Sequence, residues 1–352
     1  PSGVWIMAYT EIDDPSAYFQ IKLYTAAGSY TFDGNSDMQP DWMWIKERNG
    51  TNEHNLFDSV RGTTKRLESS TNAAEQTSST TLTAFGSDGF TVGNNPGTGQ
   101  NGGNYVGWGW KAGTSFTNNA GANGANLATT AGSVNTDAGF SILKWNSSSM
   151  AGEGLLAHGL GVVPSVIMIK STSGADDWYT YHKSLGATKY VRLNQTAAET
   201  SSSWLENKTP TSTLISLDNG FWGTSSIDYI CYAFSEKQGY SKFGSYTGNG
   251  NADGTFVYTG FKPAFVLCKN TGNAGAQWLM VDNKRVGINP IENYLQSNSN
   301  SAEGTGTDNY DFLSNGFKCR STNSWSNQSG YNIIYMAFAS NPFTTSTGVP
   351  AT

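Results

Sequence analysis

The sequence predicts an all-β protein built as three tandem antiparallel β-sandwich repeats, jelly-roll-like or lectin-like. Two observations carry this. Composition is the first: of 352 residues, 14% are charged, 13% are aromatic and 41 are glycine. Helix formers are scarce, while turn formers and strand-favouring aromatics are abundant. The second is self-similarity, because six markers recur three times in the same order.

Residues 1–16 form an N-terminal segment before the first repeat. Each repeat then opens on a lead-in of strand, small-residue turn and strand: "QIKLYTAAGSYTFDGNSDMQ" (20–39), "FSILKWNSSSMAGEGLLAHGLGVV" (140–163) and "YSKFGSYTGNGNADGTFVYTGFK" (240–262). A proline, a dense apolar strand and a lysine follow, as "QPDWMWIK" (39–46), "VPSVIMIK" (163–170) and "KPAFVLCK" (262–269). Proline is tolerated at a strand start, and so apolar a run predicts a strand covered on both faces. Next come "NLFDSVR", "DWYTYHK" and "QWLMVDNKR", then Glu75, Glu199 and Glu303 after alanine. "SDGF", "DNGF" and "SNGF" predict tight turns with a residue at positive φ and a phenylalanine returning to the core.

Each repeat closes on an aromatic strand: "YVGWGW" (105–110), "YICYAF" (229–234) and "IYMAFA" (334–339). With a period of two, Tyr229, Cys231 and Ala233 share one face, and Ile230, Tyr232 and Phe234 the other. Both faces are bulky. A second sheet accounts for one; the other must meet a loop, a neighbouring repeat or another subunit. The marker spacing agrees, since Pro40 to Phe90, Pro164 to Phe221 and Pro263 to Phe317 span 50, 57 and 54 residues. The repeats therefore cover 17–111, 138–238 and 239–343. Residues 112–137, rich in Gly, Ala, Asn and Thr, read as a linker, and 344–352 as a C-terminal tail.

The net charge of −6, with no block of Lys or Arg, disfavours a nucleic-acid partner. The apolar runs are too short to insert into a bilayer. No signal-peptide pattern opens the chain, and a start at Pro1 is what processing or truncation would leave. Cys231, Cys268 and Cys319 lack C-x-x-C spacing and read as buried small hydrophobes.

Catalytic signals are weak. "EIDD" (11–14) begins like the E-x-D-x-x-E of concanavalin-like glucanases, but Ser16 stands at the third acid position and Pro15 breaks the strand. His54, His158 and His182 come from unlike places, and no nucleophile elbow or phosphate loop occurs. Glu75, Glu199 and Glu303, being triplicated, read as structural, accepting backbone N–H groups at strand ends. No cofactor is expected and no catalytic residue is assigned. "DGNSD" (33–37) and "NGNADG" (249–254) offer oxygens to calcium, which leaves Asp33, Asp37 and Asp253 as metal candidates.

The long motifs "FDGNSDMQPDWMWIK", "YHKSLGATKYVRLN" and "GYSKFGSYTGNGNADGTFVYTGFKPAFVLCK" resemble a repeat family of marine bacteriophages, notably those of cyanobacteria and SAR11-type hosts. The resemblance covers about residues 5–343. It implies a virion structural protein with concanavalin-like or jelly-roll β domains, located in the phage particle beside other virion proteins, and it transfers no site residue. The expectation is a non-enzymatic fibre, spike or tail appendage that meets the host surface, including its glycans through loop Asn, Asp and aromatic side chains. The aromatic closing strands suit a homo-oligomer, a trimer foremost. The alternatives are a capsid decoration protein and a polysaccharide-degrading enzyme on the same scaffold.

Overall fold

The proline-led apolar strands lie at the centre of three large antiparallel sheets. In a computed structural model, which describes residues 9–350 apart from 151, 224 and 307–309, Trp42–Glu47, Val166–Ser171 and Phe261–Asn270 each pair with the closing strand of their own segment. The register is the same each time. Trp42 lies opposite Trp110, Val166 opposite Phe234, and Phe265 opposite Phe338. Pro40 and Pro164 precede their strands. Pro263 sits inside its strand, where the pairing register shifts on both sides of it. A bulge of this kind spares the ladder a missing N–H.

The large sheets have four, eight and five strands. Smaller sheets lie across from them: Gly28–Tyr30, Gly89–Val92 and Leu82–Gly86 for the first, Gly154–Ala157 and Leu214–Leu217 for the second, and Phe256–Tyr258, Gly316–Cys319 and Tyr310–Leu313 for the third. One face of each large sheet packs on its small sheet. Met43, Ile45 and Tyr105 meet Leu82, Phe90 and Val92. Ile167, Ile169, Tyr229 and Cys231 meet Leu156, Ile215 and Leu217. Val266, Cys268 and Ile333 meet Val257, Phe312 and Phe317.

The opposite faces of the three large sheets meet one another. Trp42, Trp44, Trp108 and Trp110 from the first, Val166, Met168, Tyr232 and Phe234 from the second, and Phe265, Leu267, Met336 and Phe338 from the third form the largest buried cluster. Phe234 and Phe338 have ring centroids 5.9 Å apart, Trp110 and Phe338 5.5 Å, and Trp42 and Tyr232 4.8 Å. The second bulky face of each closing strand is thus covered within the chain.

Corresponding bonds close all three seams. The backbone N–H of Glu75 donates to Thr172 O (3.1 Å), that of Glu199 to Thr271 O (2.8 Å) and that of Glu303 to Arg48 O (2.7 Å). Each acceptor follows its central-strand lysine by two residues. The indole of Trp178 donates to Glu68 O and that of Trp278 to Arg192 O, both at 2.8 Å. His54 stands in the corresponding place of the first segment, buried beside the backbone of Gln296. At the other end of the seams, Tyr232 Oη donates to Asp58 (2.6 Å), Trp108 Nε1 donates to Asp282 (3.1 Å), and His182 Nε2 lies 3.1 Å from Tyr335 O.

Two local expectations change. Residues 112–137 are not a free linker. Thr114–Ser115 and Ala131–Asn135 add two strands to the edge of the second large sheet, and Leu127 and Val134 are buried in its core. A strand edge is paired by backbone groups, which low apolar content does not remove. The three Gly-Phe turns also differ. Gly89 has φ +112, whereas "DNGF" forms one helical turn, Asn219–Trp222, capped by Asp218. Gly316 has no positive φ among the backbone outliers; a Cβ there would come within 2.1 Å of Val257 O, so glycine is required by close approach.

Candidate binding cleft

The sequence-predicted metal candidates do not come together. Asp33 accepts from Lys22 at 2.6 Å, Asp253 from Lys318 at 2.5 Å, and Asp37 lies exposed in the first lead-in turn. The Lys318 ammonium bonded to Asp253 holds that carboxyl below its ordinary value. The 249–254 loop is organised around an amide. Asn327 Nδ2 donates to Asn249 Oδ1 (2.9 Å), Asn251 O (2.8 Å) and Ser321 O (2.8 Å). Those are oxygens a cation would use. Among the described residues no three His, Cys, Asp or Glu side chains converge on a metal position.

The triplicated glutamates are expected to bind backbone N–H groups through their carboxylates; instead these meet side-chain cations. Glu75 pairs with the buried Arg61 (3.3 Å), Glu199 with Lys189, and Glu303 with both Arg285 (3.0 Å) and Arg48 (2.8 Å). Arg61 and Arg285 in turn lie on Asp58 (2.5 Å) and Asp282 (2.6 Å), three residues before each. The second segment has Leu185 in that place. A buried charge needs a partner, so the glutamate and the Asp-Arg pair form one unit.

Lys46, Lys170 and Lys269 are fully buried. Their ammonium groups donate to backbone carbonyls: Glu47 O and Gly50 O, Ser171 O and Asn72 O, and Asn270 O and Thr196 O, at 2.6–3.3 Å. Burial pushes each of them down to about 8. The histidines stay apart. His54 accepts from Trp44 Nε1 (2.8 Å), and His158 Nε2 lies 3.1 Å from Thr211 O. Burial holds His158 and His182 down at about 4 and His54 well below the usual range. Cys231, Cys268 and Cys319 are buried and in no disulfide. Glu11 pairs with Lys237 (3.3 Å), and Asp13 accepts from the backbone N–H of Ser346 (2.6 Å).

That last bond brings the N-terminal stretch and the tail against the third segment, and a cleft of about 630 Å³ opens between them. Tyr258 and Phe343 line it, along with Glu11, Glu236, Gln238 and Lys242. Tyr258 is 60% exposed and Phe343 39%. Their placement follows from the backbone. In Phe256–Tyr258 only Val257 points to the core, so Phe256 and Tyr258 face out. The Phe343 N–H donates to Gly260 O (3.1 Å), which holds that ring beside the strand. Glu236 accepts from the Phe243 N–H (2.8 Å) and lies 2.7 Å from Lys183 and 3.7 Å from Lys242. The cleft is therefore polar, lined by ion-paired charges and flanked by aromatic rings. Sequence reading missed it: "FVY" shows alternation, but not which face the core takes.

A family model described as a domain of unknown function (DUF7483) matches residues 14–342, and the chain belongs to that family. No curated protein matches the chain, nor does any solved structure.

Proposed function

We propose that this member of the DUF7483 family is a non-enzymatic structural protein of a phage particle, a fibre, spike or tail appendage that contacts the host surface. In this reading the sheets are three tandem β-sandwich repeats of jelly-roll or concanavalin-like type. The observation that supports it best is the shared core. Three large sheets bury one aromatic cluster and repeat the same seam bond three times, which makes a stiff block whose loops and cleft face outward. The sequence resemblance supplies the setting. Glu11 and Asp13, the acids that would begin a glucanase site, are held by Lys237 and Ser346. Homo-oligomerisation, a trimer foremost, is part of the proposal and must use surfaces other than the closing strands, which are covered.

The test is the particle. Quantitative mass spectrometry of virions encoding this chain should find a few dozen copies or fewer, and added soluble chain should slow adsorption to host cells. Hundreds of copies with unchanged adsorption would instead assign the chain to capsid decoration. Absence from the virion overturns both readings.

A further inference from the structure

The repeats provide an internal control for the cleft. Aligned through their pairing with the Gly-Phe strands, Phe256, Val257 and Tyr258 correspond to Ser29, Tyr30 and Thr31. Val257 and Tyr30 both point inward and pack on their cores. Ser29 and Thr31 are exposed and polar, where the third segment exposes two aromatic rings. The fold therefore does not require a ring at the position of Tyr258, the one of these two that lines the cleft, where Phe343 joins it. An exposed tyrosine and phenylalanine at one cleft are a cost in water that a ligand would offset.

We propose that the cleft binds a neutral oligosaccharide, with Tyr258 and Phe343 against the apolar faces of pyranose rings and Glu236, Gln238 and Lys242 hydrogen-bonding the hydroxyls. Its size lies within the usual range for small-ligand sites, as does its mixture of aromatic walls and a few polar groups. Neutrality follows from the pairing of charges. Glu11 lies on Lys237, and Glu236 lies on Lys183 and Lys242, so every charged group lining the cleft already has an ion partner and none stands free to select an ionic ligand. Carboxylate, amide and ammonium together offer both acceptors and donors, as sugar hydroxyls need. The assignment deepens the host-contact reading and rests on it for biological setting only.

Calorimetric titration of the full chain with cello-, malto-, manno- and galacto-oligosaccharides tests it. At least one should bind saturably. Tyr258→Ala and Phe343→Ala should each weaken that binding about tenfold or more, equivalent to ~1.4 kcal/mol. Ser29→Ala should leave it unchanged, and the exposure of Ser29 and Tyr258 should leave thermal unfolding of those two variants unaltered. No saturable binding up to about 10 mM, equal affinity of Tyr258→Ala, or preference for uronate oligosaccharides overturns the proposal. Sugar binding by a chain absent from virions would retain this site and sink the appendage reading; a chain abundant in virions that binds no sugar would do the reverse.

Discussion

Glu303 and Arg48, 255 residues apart, are joined three times. The Glu303 backbone N–H reaches Arg48 O at 2.7 Å, and the Arg48 guanidinium donates to both carboxylate oxygens at 3.0 and 2.8 Å. The same carboxylate takes the fully buried Arg285. This pair closes the third seam on the first and makes the arrangement of the large sheets a ring.

Glu303→Ala should therefore cost about 1.5–3 kcal/mol in denaturant unfolding, because it removes charged hydrogen bonds to the buried Arg285 and to Arg48 while Asp282 still compensates Arg285. Glu199→Ala removes an ion pair whose partners are 37% and 28% exposed, and should cost below ~1 kcal/mol. Equal costs would show that the arginine cluster is not what the glutamate serves.

Unfolding should be a single transition, since the largest core belongs to all three sheets. Phe338 touches rings from each sequence repeat: Phe19 at 5.3 Å, Phe234 at 5.9 Å and Phe265 at 6.4 Å. Phe338→Ala should cost about 3–5 kcal/mol and still melt as one unit. Calorimetry reading separate transitions would contradict the shared core.

Stability should rise with pH between about 8 and 9.5. Lys46, Lys170 and Lys269 have an ordinary value of 10.5 and a folded value of about 8. In that window the unfolded chain binds protons that the folded chain does not, so raising the pH favours folding, on the order of 2 kcal/mol per lysine. Above 10 the buried tyrosines, whose values are raised, oppose the trend. Lys170→Met should flatten the slope of urea midpoint against pH by about a third.

Acid should act in the opposite direction. His158 and His182 sit at about 4 against an ordinary 6.5. Their contribution is full above 6.5 and is lost as pH falls toward 4, about 2 kcal/mol each by pH 5. His182→Gln keeps a donor for Tyr335 O and should lessen the loss between pH 7 and 5. NMR titration should find both imidazoles neutral at pH 6 in the folded protein.

Much of the strand pattern is legible in the chain. The alternation of Tyr229, Cys231 and Ala233 against Ile230, Tyr232 and Phe234 separates the two cores as read, because a pleated backbone sends every second side chain to the same side. Residues 112–137 misled because their scarce apolar groups conceal backbone pairing. The triplicated glutamates were recognisable as structural; their partners Arg61, Arg285 and Arg48 were not, since those contacts depend on how distant strands meet.

Sequence alone determined the all-β class, the threefold recurrence and the two-faced strands, all consequences of local periodicity and turn chemistry. Only the tertiary structure decided what covers the second face, where Glu75, Glu199 and Glu303 point, and that Tyr258 faces water beside Phe343. Those depend on segments up to some hundreds of residues apart, brought together because burying three aromatic faces on one another removes more apolar surface from water than any one segment could alone.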